Sequence, residues 1–168
     1  MDFVLRKWTL EDAPAMQRYA DNPKIPANLR DGFPSPYTLE DAYSFLKGIL
    51  DKDEQTQCLR AIEVGGEAVG SIGIFLMSDV YRKSAEIGYW LGEPFWGKGI
   101  MSAAVRQMCE YAFANYDLVR IEADVFEGNH GSCRVVEKAG FVLEGVKRKS
   151  VYKNGQIRNS CMYARVIE

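Results

Sequence analysis

The stretch GEPFWGKGIMSAAV, residues 92–105, sets Gly92, Gly97 and Gly99 around Lys98 where an apolar run gives way to a helical one. A helix N-terminus carries roughly half a positive charge and leaves its first N–H groups unpaired. With no side chain at Gly97 and Gly99, an anion can reach bare backbone. The N–H groups of Trp96, Gly97, Lys98, Gly99, Ile100 and Met101 would then face a phosphate or diphosphate. Lys98 would add charge, and a helix from Ser102 the field. The competing reading is steric, since a tight strand-to-helix turn also favours glycine. Neither common phosphate fingerprint fits. Lys98 is followed by Gly99 where a P-loop needs Ser or Thr, and Ser102 stands where a dinucleotide fold needs its third glycine.

Other chemistry is sparse. His130 is the only histidine and lies in the polar stretch EGNHGS, so it reads as a surface residue, and a multi-histidine metal site is ruled out. Cys58, Cys109, Cys133 and Cys161 form no C-x-x-C pair. They read as free thiols, with no metal expected.

The elements that must position the turn follow from periodicity. DFVLRKW alternates as a strand. Thr9 with Asp12 opens a helix through Met16 and Tyr19, which ends near Asn22-Pro23. The four-proline segment at 22–38 reads as an irregular loop, and loops of that length are usually functional or disordered. Thr38 opens a second helix with Ala42, Phe45, Leu46 and Ile49 on one face. QCLRAIEV and EAVGSIGIFLM flank the hairpin signal Gly65-Gly66, and AEIGYWL is a further strand. Beyond the turn come a helix with Ala104, Met108 and Ala112 on one face, the strand LVRIEADVF, and a helix stopped by Gly140. Two strands about Asn154-Gly155 complete the chain. The order is β-α-α-β-β-β-α-β-α-β-β. Residues 85–125 should form a parallel strand-helix-strand unit with a right-handed crossover.

A length of 168 residues suits one domain, 1–168. The net charge of −2 argues against a nucleic-acid-coating protein. No apolar run approaches the ~18 residues of a membrane span, and MDFVLRKWTL lacks a signal-peptide core. A cytoplasmic protein with neither nucleic-acid nor membrane partners is expected.

Two segments together, EIGYWLGEPFWGKGIMSAAV and NHGSCRVVEKAGFVLEG, resemble the GNAT superfamily of N-acetyltransferases, most of all the branch acting on ribosomal-protein N-termini. The resemblance implies an α/β fold with a single mixed, mostly antiparallel, V-splayed sheet flanked by helices, and acetyl-CoA as co-substrate. The family's [QR]-x-x-G-x-[GA] motif falls on Pro94 to Gly99, with Pro94 in place of Gln or Arg. This removes one possible side-chain contact and leaves the backbone donors. By the same resemblance, the backbone of Tyr89, Trp90 and Leu91 bonds the pantetheine arm, as does Asn129. A tyrosine acid common in the family would fall on Val136 and is missing; Ser132 is the branch's substitute. The loop residues Asn28, Arg30, Asp31 and Phe33 lie where relatives shape the acceptor pocket.

The chemistry itself needs a neutral amine. A lysine-type amine of pKa ~10.4 is neutral about once in a few thousand molecules at pH 7, and an α-amine near ~7.8 about one time in seven. The gap is ~3.5 kcal/mol of deprotonation work, which favours an α-amine or calls for a well-placed base. Glu86 shares a strand face with Gly88 and Trp90 and is the candidate base, acting through water. Its alternative is a surface pairing with Arg82 or Lys83. A free N–H near Leu91 would serve the carbonyl oxygen. The basic run VKRKSVYK, with Lys147, Arg148, Lys149 and Lys153, reads as a solvated strand face, with the CoA 3'-phosphate or an acidic partner as the alternative. Trp8, Trp90 and Trp96 read as core, with Trp96 partly exposed at the turn.

The amine acceptor, a protein N-terminus or a small molecule, is not written in the sequence. The exposed hairpin strands would allow a homodimer. Two other readings stay open: a non-catalytic acyl-CoA-binding module on the same fold, and a nucleotide-binding protein.

Overall fold

A computed structural model describes all residues from Met1 to Glu168. The strands are β1 (Val4–Arg6), β2 (Gln57–Val64), β3 (Glu67–Leu76), β4 (Ser84–Leu91), β5 (Arg120–Phe126), β6 (Val142–Lys153) and β7 (Gln156–Val166). The helices are α1 (Ala13–Ala20), α2 (Leu39–Leu50), α3 (Ile100–Asn115) and α4 (His130–Lys138). This is the order expected from periodicity, with short 3₁₀ turns added. The strands form one seven-stranded sheet in the order β1-β2-β3-β4-β5-β7-β6. β1–β2, β5–β7 and β6–β7 are antiparallel, and β4–β5 is parallel, as the strand-helix-strand unit requires. No helix is long and apolar enough to cross a membrane.

The chain divides into two compact units, Met1–Gly73 with Tyr89–Ile100, and Ile74–Gly88 with Met101–Glu168. The first is centred on Trp8, Met16, Tyr37 and Leu46, with Phe33, Phe45 and Trp90 packed against them. Its helices begin as their sequences require. Thr38 accepts from the Asp41 N–H at 3.1 Å and donates its own N–H to the Asp41 carboxylate at 2.9 Å, a reciprocal cap. Thr9 donates its N–H to Asp12 at 2.9 Å, but a 3₁₀ turn, Leu10–Asp12, precedes α1, which starts at Ala13. Arg6 holds both Asp12 oxygens at 2.8 Å, so the acid serves a salt bridge as well as a cap. The four-proline segment is not wholly irregular, because Pro26–Asn28 forms a 3₁₀ turn.

In the second unit the buried face of α3 includes Ala104, Met108 and Ala112, as the spacing predicts. On β5, Ile121, Ala123 and Val125 are buried, while the alternate residues Arg120, Glu122 and Asp124 are half-buried. The β4–β5 register runs Ser84↔Arg120, Ala85↔Ile121 and Glu86↔Glu122, and ends there although β5 continues to Phe126. β5 carries on in full register with β7 to Phe126↔Ser160. β6 is exposed along nearly its whole length, but its last residue, Lys153, is buried. The expected solvated basic face therefore stops short of Lys153. It is also only partly solvated at Lys147, whose ammonium lies 2.6 Å from Asp124.

Candidate active site

In the first unit, β4 ends at Leu91 and a 3₁₀ turn, Glu93–Phe95, leads into the glycine turn. Gly97 and Gly99 sit at φ 71° and 79°, the left-handed region that costs an L side chain roughly 1–2 kcal/mol. A Cβ at either position would meet nothing within 4 Å. Glycine is therefore present for backbone shape and not for close packing against protein. Trp96, Gly97, Lys98 and Gly99 are all exposed, and Ile100 is buried.

The amides of this run differ. The Trp96 N–H donates to the Glu93 carbonyl at 3.1 Å, so this amide is already engaged, against the expectation that it would be open. The N–H groups of Gly97, Gly99, Ile100 and Met101 meet no acceptor within the protein, while the Lys98 N–H closes the turn that spans Trp96 and Gly97. These four bracket the start of α3, which begins at Ile100, two residues before the expected Ser102. Donors grouped in this way can accept an anion.

Trp96 is 44% exposed, in keeping with the partial exposure expected of it at the turn. Its indole Nε1–H donates to the Leu91 carbonyl at 2.6 Å, closing the turn back onto the strand. The Leu91 carbonyl is thus engaged. The Gly92 N–H donates to the Val69 carbonyl at 2.8 Å, so it is not the free donor sought near Leu91. Tyr89 and Trp90 are half-buried at the end of β4. Phe33 lies 6.0 Å from the Trp90 ring and 5.1 Å from Tyr37, which brings one of the four loop residues to the strand end. Arg30 and Asp31 are exposed, and Asn28 is half-buried beside Pro26. Indole and loop partners of this kind carry no periodic signal and were missed by sequence reasoning.

In the second unit, Glu86 is half-buried on β4, between the buried Ala85 and Ile87, with Glu122 as its register partner. Of the two cations near it in sequence, Lys83 reaches Asp117 at 3.4 Å, and Arg82 donates to the Asp79 carbonyl at 3.0 Å. Glu122 is itself engaged by Arg120 at 3.0 Å, and Arg120 also forks onto Glu144. Asn129 caps α4, its side-chain oxygen accepting the Ser132 N–H at 3.3 Å. Ser132 is half-buried in the first turn of that helix, and His130 is its exposed first residue. Val136, where the family's tyrosine would fall, is fully buried, and its carbonyl accepts the Phe141 N–H at 3.0 Å. All four cysteines are free. Burial pushes the Cys109 thiol up to about 12, which leaves it almost wholly protonated at neutral pH.

These features can be set beside known proteins. A family model described as "Acetyltransferase (GNAT) domain" matches residues 2–142. The probable N-acetyltransferase YjcK of Bacillus subtilis is 42% identical over 106 residues, which are 63% of this chain and 59% of YjcK. The putative ribosomal N-acetyltransferase YdaF of the same organism is 38% identical over 120 residues, 69% of this chain and 65% of YdaF. The matches thus span under two thirds of either relative. Among solved structures, RimL, a ribosomal L7/L12 alpha-N-protein acetyltransferase in complex with coenzyme A, superposes with a TM-score of 0.87 at 27% identity, covering 98% of this chain and 94% of RimL. With the open turn after β4, the early end of the β4–β5 ladder and a family model spanning most of its length, the chain belongs to the GNAT acetyltransferase family.

Proposed function

We propose that the chain, as one domain, is an acetyl-CoA-dependent N-acetyltransferase acting on a primary amine by direct attack in a ternary complex. The observation that carries this reading is the group of amides at Gly97, Gly99, Ile100 and Met101 with no acceptor inside the protein. These donors hold the diphosphate, with Lys98 adding charge. Trp96 contributes through its indole, which braces the turn, and not through its amide. The strand-end backbone of Tyr89, Trp90 and Leu91, together with Asn129, receives the pantetheine arm. Acetyl-CoA supplies a thioester carbonyl activated toward amines.

Glu86 is the base that takes the amine's proton through water. Ser132 donates toward the departing sulfur, a minor role because a thiol of pKa ~8.5 leaves readily as thiolate. An acyl-cysteine step through Cys109 is disfavoured by its high pKa. Asn28, Arg30, Asp31 and Phe33 contact the acceptor. The ease of deprotonating an α-amine, and the names of YdaF and RimL, favour a peptide N-terminus over a small-molecule amine.

A thiol-release assay with acetyl-CoA over N-terminal peptides, polyamines and amino acids tests the reading. Glu86→Gln should lower kcat by about 10²–10⁴ while the calorimetric Kd for CoA stays unchanged. Unchanged turnover would remove Glu86 from the mechanism. CoA binding with no acetylated amine of any class would favour the non-catalytic acyl-CoA module, a reading to which the apolar Val136 lends weight. Binding of ATP or NAD in preference to CoA would point to a nucleotide-binding protein.

A further inference from the structure

A diphosphate site gains nothing in Coulomb terms from a nearby carboxylate, yet Glu93 stands four residues before the first open amide. Both of its oxygens are held. The Asn22 side-chain amide donates to Oε2 at 3.2 Å, and the Lys24 ammonium lies 3.1 Å from Oε1. Together they keep the Glu93 carboxyl below the usual carboxylate range. The partners are 71 and 69 residues away in sequence, in the segment that follows α1.

The same end of α1 braces the residues on either side. Tyr19 lies against Gly92 so closely that a Cβ there would sit 3.0 Å from the ring. The Tyr19 ring also meets Phe95 edge-on at 5.6 Å between centroids. The Trp96 indole then fastens the turn to Leu91. Gly92, Glu93, Phe95 and Trp96 are therefore each held, whereas Gly97 and Gly99 have open space where side chains would be. The support stops where the open donors begin.

We infer that Glu93 is a positioning residue whose bonds to Asn22 and Lys24 fix the direction in which the Gly97–Ile100 amides are presented to the diphosphate of CoA. The inference rests on the CoA reading above. Its charge is tolerated because Lys24 offsets it, and its purpose is mechanical. That purpose has a sign opposite to that of simple electrostatics. Deleting a bystander carboxylate would tighten an anion site, whereas deleting a brace loosens it.

The test is the calorimetric Kd for CoA and the steady-state constants of wild type, Glu93→Gln, Lys24→Met and the double variant. The pair is partly exposed, 66% at Lys24 and 37% at Glu93, so the expected effect is modest. Glu93→Gln should weaken CoA about fivefold, the upper end for exposed pairs. The loss should appear in KM for acetyl-CoA and not in kcat. Lys24→Met should do likewise, and the double variant should be no worse than Lys24→Met alone, since both remove one link. Glu93→Asp, with a shorter reach, should fall between wild type and Glu93→Gln. Equal or tighter CoA binding by Glu93→Gln overturns the inference, as does strict additivity in the double variant. Failure of the wild type to bind CoA would instead overturn the functional reading, so the two failures are distinct.

Discussion

The helices α3 and α4 begin in opposite ways. At α4, Asn129 turns its side chain back and takes the Ser132 N–H. At α2, Thr38 does the same for Asp41. At α3 the preceding residues are Gly97, Lys98 and Gly99, none of which has a side-chain acceptor, and the amides of Gly97, Gly99, Ile100 and Met101 stay open. A helix start left without a side-chain cap forgoes about 1 kcal/mol of capping stability. The chain has capping residues to use and uses them elsewhere. On the proposed function, the contrast separates a terminus built for folding from one left available to a ligand.

The sharpest way to break the comparison is to close the open end. Gly99→Asp brings a carboxylate to the bare amides, and Asp tolerates the positive φ of this position better than most residues. It should compete with the diphosphate and repel it. Loss of charge-assisted bonds worth about 3 kcal/mol corresponds to roughly 100-fold weaker CoA binding, read by calorimetry. The protein should stay folded. Retention of CoA binding within tenfold would mean that the amides of α3 are not the anion site.

A smaller effect is expected at Gly97. Gly97→Val puts a β-branched side chain at φ 71°, where the left-handed conformation costs ~1–2 kcal/mol or more. Open space surrounds the new Cβ, so the cost is conformational and not a clash. The melting temperature should fall by a few degrees, about 2–4 °C per kcal/mol at this size. CoA affinity should fall about tenfold, because residues 97–99 relax to another backbone path at a cost of ~1–2 kcal/mol. A lower melting temperature with unchanged affinity would show that the turn's shape matters to folding alone.

Much of this arrangement was legible from sequence because it is local. Glycine at 97 and 99, the Thr38 cap, the stop at Gly140 and the alternation of β5 each depend on neighbours a few residues apart. The parallel β4–β5 pairing followed from the helix between the two strands. The departures share a different origin. The Trp96 indole could have faced the core or the turn, and only the folded strand end decides for the Leu91 carbonyl. The engaged Trp96 amide depends on a 3₁₀ turn that begins one residue before Pro94. Lys153 ends an exposed strand and yet is buried. Glu93 finds its partners some seventy residues back in the chain. Only the Glu93 pairings are distant in sequence, since both Trp96 bonds close within five residues, but each case involves a residue whose type permits several roles, and no periodicity distinguishes among them.

The closed terminus offers the subtlest test, because Asn129 is assigned two tasks. Its side-chain oxygen caps α4, and the proposed function gives it a bond to the pantetheine arm. Asn129→Ala removes both, with an expected loss of about 1 kcal/mol in stability. Asn129→Ser separates them. Serine is as good a cap, so the melting temperature should return nearly to that of wild type. Its single hydroxyl, engaged by the Ser132 N–H, reaches less far than the Asn amide group, so CoA should stay about threefold to tenfold weaker, the worth of one hydrogen bond. Full recovery of both properties in Asn129→Ser would make α4 a purely structural helix start. Recovery of stability without affinity would show that a terminus can be capped for folding and still lend its capping residue to the ligand, which narrows the difference from α3 to the number of amides left bare.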